Sequence, residues 1–284
     1  MEYQPLTSVE QTITAHYTTG SLLERIRAGL AELGVNLDAM MPQDLKPVDE
    51  FHTGGVEATD ALLNLLEITP DTRVLDIGSG IGGTARVIAS RYSARVTGVD
   101  LTPAFVETAT ELSRMVGLGG RTDFIVGSAT NLPVGEAAFD LALLMHVGMN
   151  IPDKLDLFRE AHRVLAPQGV FAVYDVMCGP NGAAMKFPVP WSSEAPTSFV
   201  ESPETYEEVA AAAGFGVVWQ RDRTEFARNY FDKVNQLMAE RGGPPPLGIH
   251  LLMGDTAAQK IENYLAMLDD GRIRPIEMIF RVKP

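Results

Sequence analysis

The segment Asp76-Ile77-Gly78-Ser79-Gly80-Ile81-Gly82-Gly83 carries the most chemical content in this chain. Glycines 78, 80 and 83 satisfy the spacing G-x-G-x-x-G between a short apolar run, Arg73-Val74-Leu75-Asp76-Ile77, and a helical stretch. Such a turn lets the backbone approach a ligand closely and points free N–H groups at it from a helix start. The glycine string alone is a weak signal. Asp100, closing the next apolar run, strengthens it, because a carboxylate there accepts both hydroxyls of a ribose. An ordinary cap for the helix after Leu101-Thr102-Pro103 is the alternative for Asp100.

The pattern suits a nicotinamide cofactor and S-adenosylmethionine alike, and Asp76 separates them. An ionised carboxylate two residues before the first glycine would sit close to a bound pyrophosphate, a repulsion of about 4 kcal/mol at intermediate dielectric. S-adenosylmethionine has no phosphate. Its sulfonium and ammonium are both attracted by a carboxylate, so the methyl donor is favoured over NAD. A loop-orienting acid remains the bland alternative for Asp76.

The elements that position these residues alternate. Arg73–Ile77, Arg95–Asp100, Thr122–Val126, Phe139–Met145 and Gly169–Val176 read as buried strands, with helices over 82–92, 103–117 and 153–166. Strands alternating with helices argue for a parallel sheet covered on both faces. Residues 7–34 and 56–66 also look helical. After residue 177 comes a long loop, 178–203, whose length is itself a functional signal. A helix (203–213), a strand (215–220), two helical segments split by Gly242-Gly243-Pro244-Pro245-Pro246 and a terminal strand from Ile276 to Val282 complete the chain.

Composition excludes several classes. The chain has 284 residues, 45% of them hydrophobic and 21% charged, with a net charge of −14. Such an acidic globular chain has no general attraction for nucleic acid or an anionic membrane. The single cysteine, Cys178, allows no internal disulfide and no cysteine-rich zinc site. No apolar stretch approaches the ~18 residues of a membrane span, and the first residues do not read as a signal peptide. The expectation is a cytoplasmic protein with no metal. The oligomeric state stays open, a homo-oligomer included.

Val74-Leu75-Asp76-Ile77-Gly78-Ser79-Gly80, with Gly98-Val99-Asp100 and Phe139-Asp140, resembles the class I S-adenosylmethionine-dependent methyltransferases over about residues 56–177. Asp49-Glu50-Phe51-His52-Thr53-Gly54-Gly55, His146-Val147-Gly148-Met149-Asn150 and Pro188-Val189-Pro190-Trp191 resemble, more narrowly, the sarcosine/dimethylglycine methyltransferase-like group. The resemblance implies a Rossmann-like α/β fold, with a mostly parallel seven-stranded sheet, helices on both faces and a reversed last strand. It implies a lid over residues 1–56 and a donor-binding core over 57–221, with 178–202 as the active-site loop. A helical cap over 222–275 and a terminal strand over 276–284 would follow.

On that resemblance Gly78, Ser79 and Gly80 approach the amino-acid part of the donor, and Asp100 and Leu101 flank its ribose and adenine. Ser128 and Ala129 take the adenine edge; many relatives carry an acid where this chain has Ser128. Met145 and His146 lie under the sulfonium. The product would be S-adenosylhomocysteine.

Methyl transfer needs alignment, exclusion of water and, for some acceptors, a base. His146, at a strand's carboxyl end, is the candidate base, with shaping of the cavity as its alternative. Asn150 would orient a polar group of the acceptor or cap a turn. Tyr17, His52 and Trp191 are candidates for acceptor binding, since ring faces cradle a cationic amine; Trp191 could instead simply pack. Tyr174 and Asp175 are expected to face the ligand side. A small amine leads as acceptor, with O- or C-methylation of an aromatic, quinone or polyketide-like molecule close behind. An NAD(P)-dependent oxidoreductase and a non-catalytic donor-binding protein are the rivals from other classes.

Overall fold

The computed structural model describes residues 7–17 and 22–284. Among them one sheet is formed by β1 (Arg73–Ile77), β2 (Arg95–Asp100), β3 (Thr122–Val126), β4 (Phe139–Met145), β5 (Leu165–Cys178), β6 (Phe215–Asp222) and β7 (Ile273–Val282). Its order is β3-β2-β1-β4-β5-β7-β6. β1 to β5 pair in parallel, and β7 runs antiparallel to both β5 and β6. This is the Rossmann-like arrangement expected, with its last strand reversed. Strand order turns back between β1 and β4, which opens a crevice at their carboxyl ends.

The helices are α1 (Ser8–Tyr17), α2 (Leu22–Glu32), α3 (Lys46–Asp49), α4 (Gly55–Leu63), α5 (Gly83–Tyr92), α6 (Pro103–Met115), α7 (Lys154–Val164), α8 (Pro203–Ala212), α9 (Thr224–Arg241), α10 (His250–Met253) and α11 (Ala257–Asp269). α7 shows why such segments form. Asp153 caps it by accepting from Asp156 N at 2.9 Å. Leu157, Phe158, Ala161 and Val164 recur on one face and are fully buried against the sheet. Phe158 meets Phe171 and Phe280 edge-on, each at 5.2 Å. The opposite sheet face buries Leu62, Ile88 and Leu143.

Several boundaries differ from the sequence reading, three of them for reasons visible in the fold. The stretch 7–34 is not one helix but α1 and α2, with 18–21 outside the described residues. β5 begins at Leu165, because Pro167-Gln168-Gly169 is absorbed as an irregularity inside the strand (Gln168 φ +64°). β7 begins at Ile273 rather than Ile276. Pro275 interrupts the apolar pattern yet pairs with Val176, and its carbonyl accepts from Arg223 N at 2.9 Å.

The long loop after β5 is a packed element. Trp191 is 3% exposed, and its Nε1 donates to Ser198 Oγ at 2.9 Å. Asn263 Nδ2 donates to Pro188 O at 2.9 Å, and Lys154 Nζ to Phe199 O at 2.7 Å. Among the described residues no helix is long and apolar enough to cross a membrane.

Candidate active site

The crevice at the carboxyl ends of β1, β2 and β4 is a cavity of about 770 Å³. That suits a cofactor-sized ligand, for which roughly 300–1,000 Å³ is usual. Its floor is the glycine turn. Gly80 has φ +53°, and a Cβ there would meet nothing within 4 Å, so its bare backbone faces open space. Gly80 N donates to Asp100 Oδ2 at 2.8 Å, and Thr102 N to Asp100 Oδ1 at 2.8 Å. These two bonds fix the Asp100 carboxylate at the cavity wall. Gly78, Ser79, Leu101, Ser128, Ala129 and Met145 also line it.

Asp76 is 3% exposed at this floor. Burial, with the neighbouring Asp100 and Glu50 carboxylates, pushes it up to about 7. Its Oδ2 has no hydrogen-bond partner among the described residues, nor do Ser79 Oγ, Glu50 Oε1, His52 Nδ1 and His146 Nε2, all buried. Buried polar groups are normally paired. Four of these five, all but Glu50 Oε1, belong to residues lining this one cavity, which marks it as a place built for a ligand. An orphaned carboxylate beside an open glycine backbone fits a cationic donor, so the residues present fit S-adenosylmethionine.

A smaller recess of about 60 Å³ adjoins the cavity, and Phe51, His52 and His146 line both. Met149, Trp191, Tyr230, Phe231 and Tyr264 complete much of its wall. Among the described residues neither cavity is lined by a lysine or arginine.

His52 is 9% exposed and Glu50 3%. His52 Nε2 lies 2.7 Å from Glu50 Oε2, and Thr59 Oγ1 donates to the same oxygen at 2.6 Å. Burial alone would raise Glu50, but the bonds from His52 and Thr59 hold it below its usual value. His146 adopts φ +56°, uncommon for a side chain larger than glycine, and its N–H donates to Tyr174 O at 2.7 Å. Burial, and then the nearby His52, push its imidazole well below the usual range. The rings of His146 and Tyr174 lie 4.8 Å apart, and those of His146 and His52 5.9 Å.

The site is anchored from beneath. Asp49, ending α3, forms a buried bidentate ion pair with Arg86 of α5, with Arg86 Nε 3.1 Å from Oδ2. Arg86 Nη1 also donates to Ser113 Oγ at 3.1 Å. A Cβ on Gly83 would lie 2.1 Å from Asp49 O. Only glycine lets the Glu50–His52 segment sit this close to the helix that starts the donor turn.

The sequence-derived candidates fall into groups. Asp76, Gly78, Ser79, Gly80, Asp100, Leu101, Ser128, Ala129, Met145, His146, His52 and Asn150 all line the larger cavity. Trp191 lines the recess. The Asn150 side chain holds the loop after β5, its Nδ2 donating to Trp191 O at 2.8 Å. The side chain of Tyr17 lies outside the described residues. Asp175 does not face the ligand side. Strand alternation turns it toward α8, where Tyr206 OH donates to its Oδ2 at 2.6 Å, whereas Tyr174 faces the site and donates to Thr53 O at 3.0 Å.

Sequence reasoning missed Glu50 as a functional group, although it stands two residues from His52. It also missed Tyr230, Phe231 and Tyr264, and Glu10, which lines the cavity from α1 and hydrogen-bonds Ser128. Among the described residues no group of three or more His, Cys, Asp or Glu is arranged to hold a metal ion.

Residues 75–173 match the family described as "Methyltransferase domain". The matched segment runs from β1 into β5 and so covers the strands around the larger cavity. The chain is 31% identical to cycloartenol-C-24-methyltransferase 1 of Oryza sativa subsp. japonica over 167 residues, covering 56% of this chain and 48% of that one. It spans less than half the length of this and the next curated relatives it matches. Its fold is similar to phosphoethanolamine N-methyltransferase 2 of Haemonchus contortus (TM-score 0.73, 19% identity, 99% of this chain and 62% of that one). It is also similar to a Galdieria sulphuraria structure assigned as a sarcosine dimethylglycine methyltransferase (TM-score 0.65, 21% identity, 80% and 84%).

Proposed function

We propose that the chain is an S-adenosylmethionine-dependent methyltransferase acting on a small molecule. The observation that carries this reading is Asp76, a buried carboxyl with an orphaned oxygen at the foot of an open glycine turn. A cationic ligand completes such a group; a pyrophosphate would be repelled by it. When bound, S-adenosylmethionine supplies a methyl group already activated by its sulfonium.

The chain's own residues do the rest. The backbone of Gly78, Ser79 and Gly80 would hold the amino-acid part of the donor, with Asp76 offsetting its positive charge. Asp100 would accept from the ribose hydroxyls, and Leu101 would pack on the adenine. Ala129 N–H and Ser128 would read the adenine edge, with Glu10 supplying the acid that Ser128 lacks. Met145 would hold the sulfonium end, and the buried walls exclude water. Phe51 and His52 from the described part of the lid, Trp191 from the loop 178–202, and Tyr230, Phe231 and Tyr264 from the helical segment between β6 and β7 wall the recess on the acceptor side.

Two acceptor readings follow. An amine fits the aromatic wall of Trp191, Tyr230, Phe231 and Tyr264, whose ring faces attract a cation. It also agrees with the names of the amine-methylating structures of the same fold. A hydroxyl acceptor is favoured by a different observation, the buried Glu50–His52 pair, since an alcohol or phenol needs a base and a free amine does not.

Calorimetry with S-adenosylmethionine and NADH, followed by labelled donor against phenols, amines and carboxylates scored by product mass, tests the reading. Donor binding with a methylated product is expected. Tight NADH binding without donor binding would overturn it in favour of an oxidoreductase. Donor binding with no methylated product from any acceptor would leave a non-catalytic binder.

A further inference from the structure

Resting on that donor reading, we infer that His52 is the general base, held by Glu50, for an acceptor that presents a phenolic or enolic hydroxyl and carries no anionic group.

The tautomer follows from the partners. Glu50 Oε2 is a carboxylate oxygen and only accepts, so His52 Nε2, 2.7 Å away, carries the hydrogen. Thr59 Oγ1, donating to the same oxygen at 2.6 Å, fixes the carboxylate's orientation. The basic lone pair therefore lies on Nδ1, which is buried and has no partner among the described residues. His52 lines both the donor cavity and the aromatic recess, so the base stands where the two meet.

His146 stands at the same junction, with its Nε2 likewise unpartnered. The difference is the counter-charge. Burial and the adjacent His52 disfavour an imidazolium at His146, and among the described residues no carboxylate is bonded to it to offset that. His52 has Glu50, an ionised carboxylate in direct hydrogen-bond contact, which stabilises the imidazolium formed by proton uptake. This is the division of labour of a histidine–carboxylate pair. His146 shapes the passage and keeps it dry.

The acceptor's charge follows from the walls. An anionic group on the acceptor would enter a recess that, among the described residues, no lysine or arginine lines. A charge left unpaired there carries a desolvation penalty. The step balances as follows. The acceptor O–H bond breaks and its proton passes to His52 Nδ1. The oxygen's electron pair forms the bond to the methyl carbon as the carbon–sulfur bond breaks, its pair staying on the now neutral sulfur.

The test compares wild type with His52→Gln, Glu50→Gln and His146→Gln. Binding of the donor by calorimetry should persist in all, which also reports folding. With a phenol as acceptor, kcat should fall about 10²–10⁴-fold in His52→Gln, and by a smaller factor in Glu50→Gln. A readout without turnover uses 4-nitrophenol with S-adenosylhomocysteine, at a pH where the free phenol is neutral. Its coloured anion should form on the wild type and on His146→Gln, not on His52→Gln, and weakly on Glu50→Gln. If His52→Gln proves misfolded, Glu50→Gln carries the comparison. Anion formation that survives in both His52→Gln and Glu50→Gln, or that is lost only in His146→Gln, overturns the assignment. Methylation of carboxylates, of amines alone, or of nothing in the panel overturns the acceptor class. Failure of the wild type to bind S-adenosylmethionine removes the donor reading itself, which separates the two failures.

Discussion

Asp76 shows how a single residue couples ligand binding to stability. Its carboxyl has an ordinary value near 3.8 and is pushed up to about 7 in the fold, first by burial and then by Asp100 and Glu50. Between those values the folded chain holds a proton that the unfolded chain has released. Stability therefore falls as pH rises through this window, and the penalty is complete above it, at up to about 4 kcal/mol for three pK units. Asp76→Asn removes the charge and keeps the shape. The variant should be more stable than wild type by a few kcal/mol at pH 8 in the absence of ligand, with the gain vanishing near pH 4. It should also bind the donor at least about 100-fold more weakly. Urea unfolding across pH and calorimetry read the two effects, and an Asn variant no more stable at pH 8 would reject the account.

Elements hold such residues at working distance. The Asp49–Arg86 pair ties α3 to α5, and so ties the Glu50–His52 segment to the donor turn. Removing one partner leaves a buried charge uncompensated, so Arg86→Met should cost about 3–5 kcal/mol in unfolding free energy. The double variant Asp49→Leu/Arg86→Met should recover most of that stability, which a denaturant series on the four proteins would measure. Helix α1 contributes differently. Burial would raise Glu10, but hydrogen bonds from Ser128 and Thr7 hold it below its usual value, so it lines the cavity beside Ser128 in ionised form. Glu10→Gln should weaken binding of S-adenosylmethionine about 5–10-fold, the worth of one hydrogen bond to a charged group. The loss should disappear with the deaminated, inosine-type donor, which has no exocyclic amine to donate. An equal loss with both donors would show that Glu10 acts only through the packing of α1.

At the scale of the whole molecule, what could be read in the sequence follows chain locality. The floor of the larger cavity comes from Asp76–Gly80, Asp100 and Met145, at the ends of strands that are mostly buried and so written as largely apolar runs, with Ser128 just past the edge strand β3. The acceptor recess gathers Phe51, His146, Trp191, Tyr230 and Tyr264 from segments that only the finished fold brings together. Nothing in their local pattern separates a recess wall from ordinary packing. Asp175 was misjudged for a related reason: a strand's end does not say which face a residue takes. The same non-locality governs stability. β7 is the last element of the chain, yet it lies between β5 and β6, with Phe280 fully buried against Phe158 and Phe215. Without residues 273–284, two strand edges lose their partners and the shared core opens. That truncation should abolish cooperative unfolding and donor binding alike, although every donor-site residue lies upstream of it. Phe280→Ala is the milder probe. It should lower unfolding free energy by about 3–5 kcal/mol while leaving donor affinity under native conditions within about two-fold. Urea midpoints and calorimetry on the two proteins decide it: a truncated chain that still binds S-adenosylmethionine would mean that the segment 75–173 folds without the reversed strand.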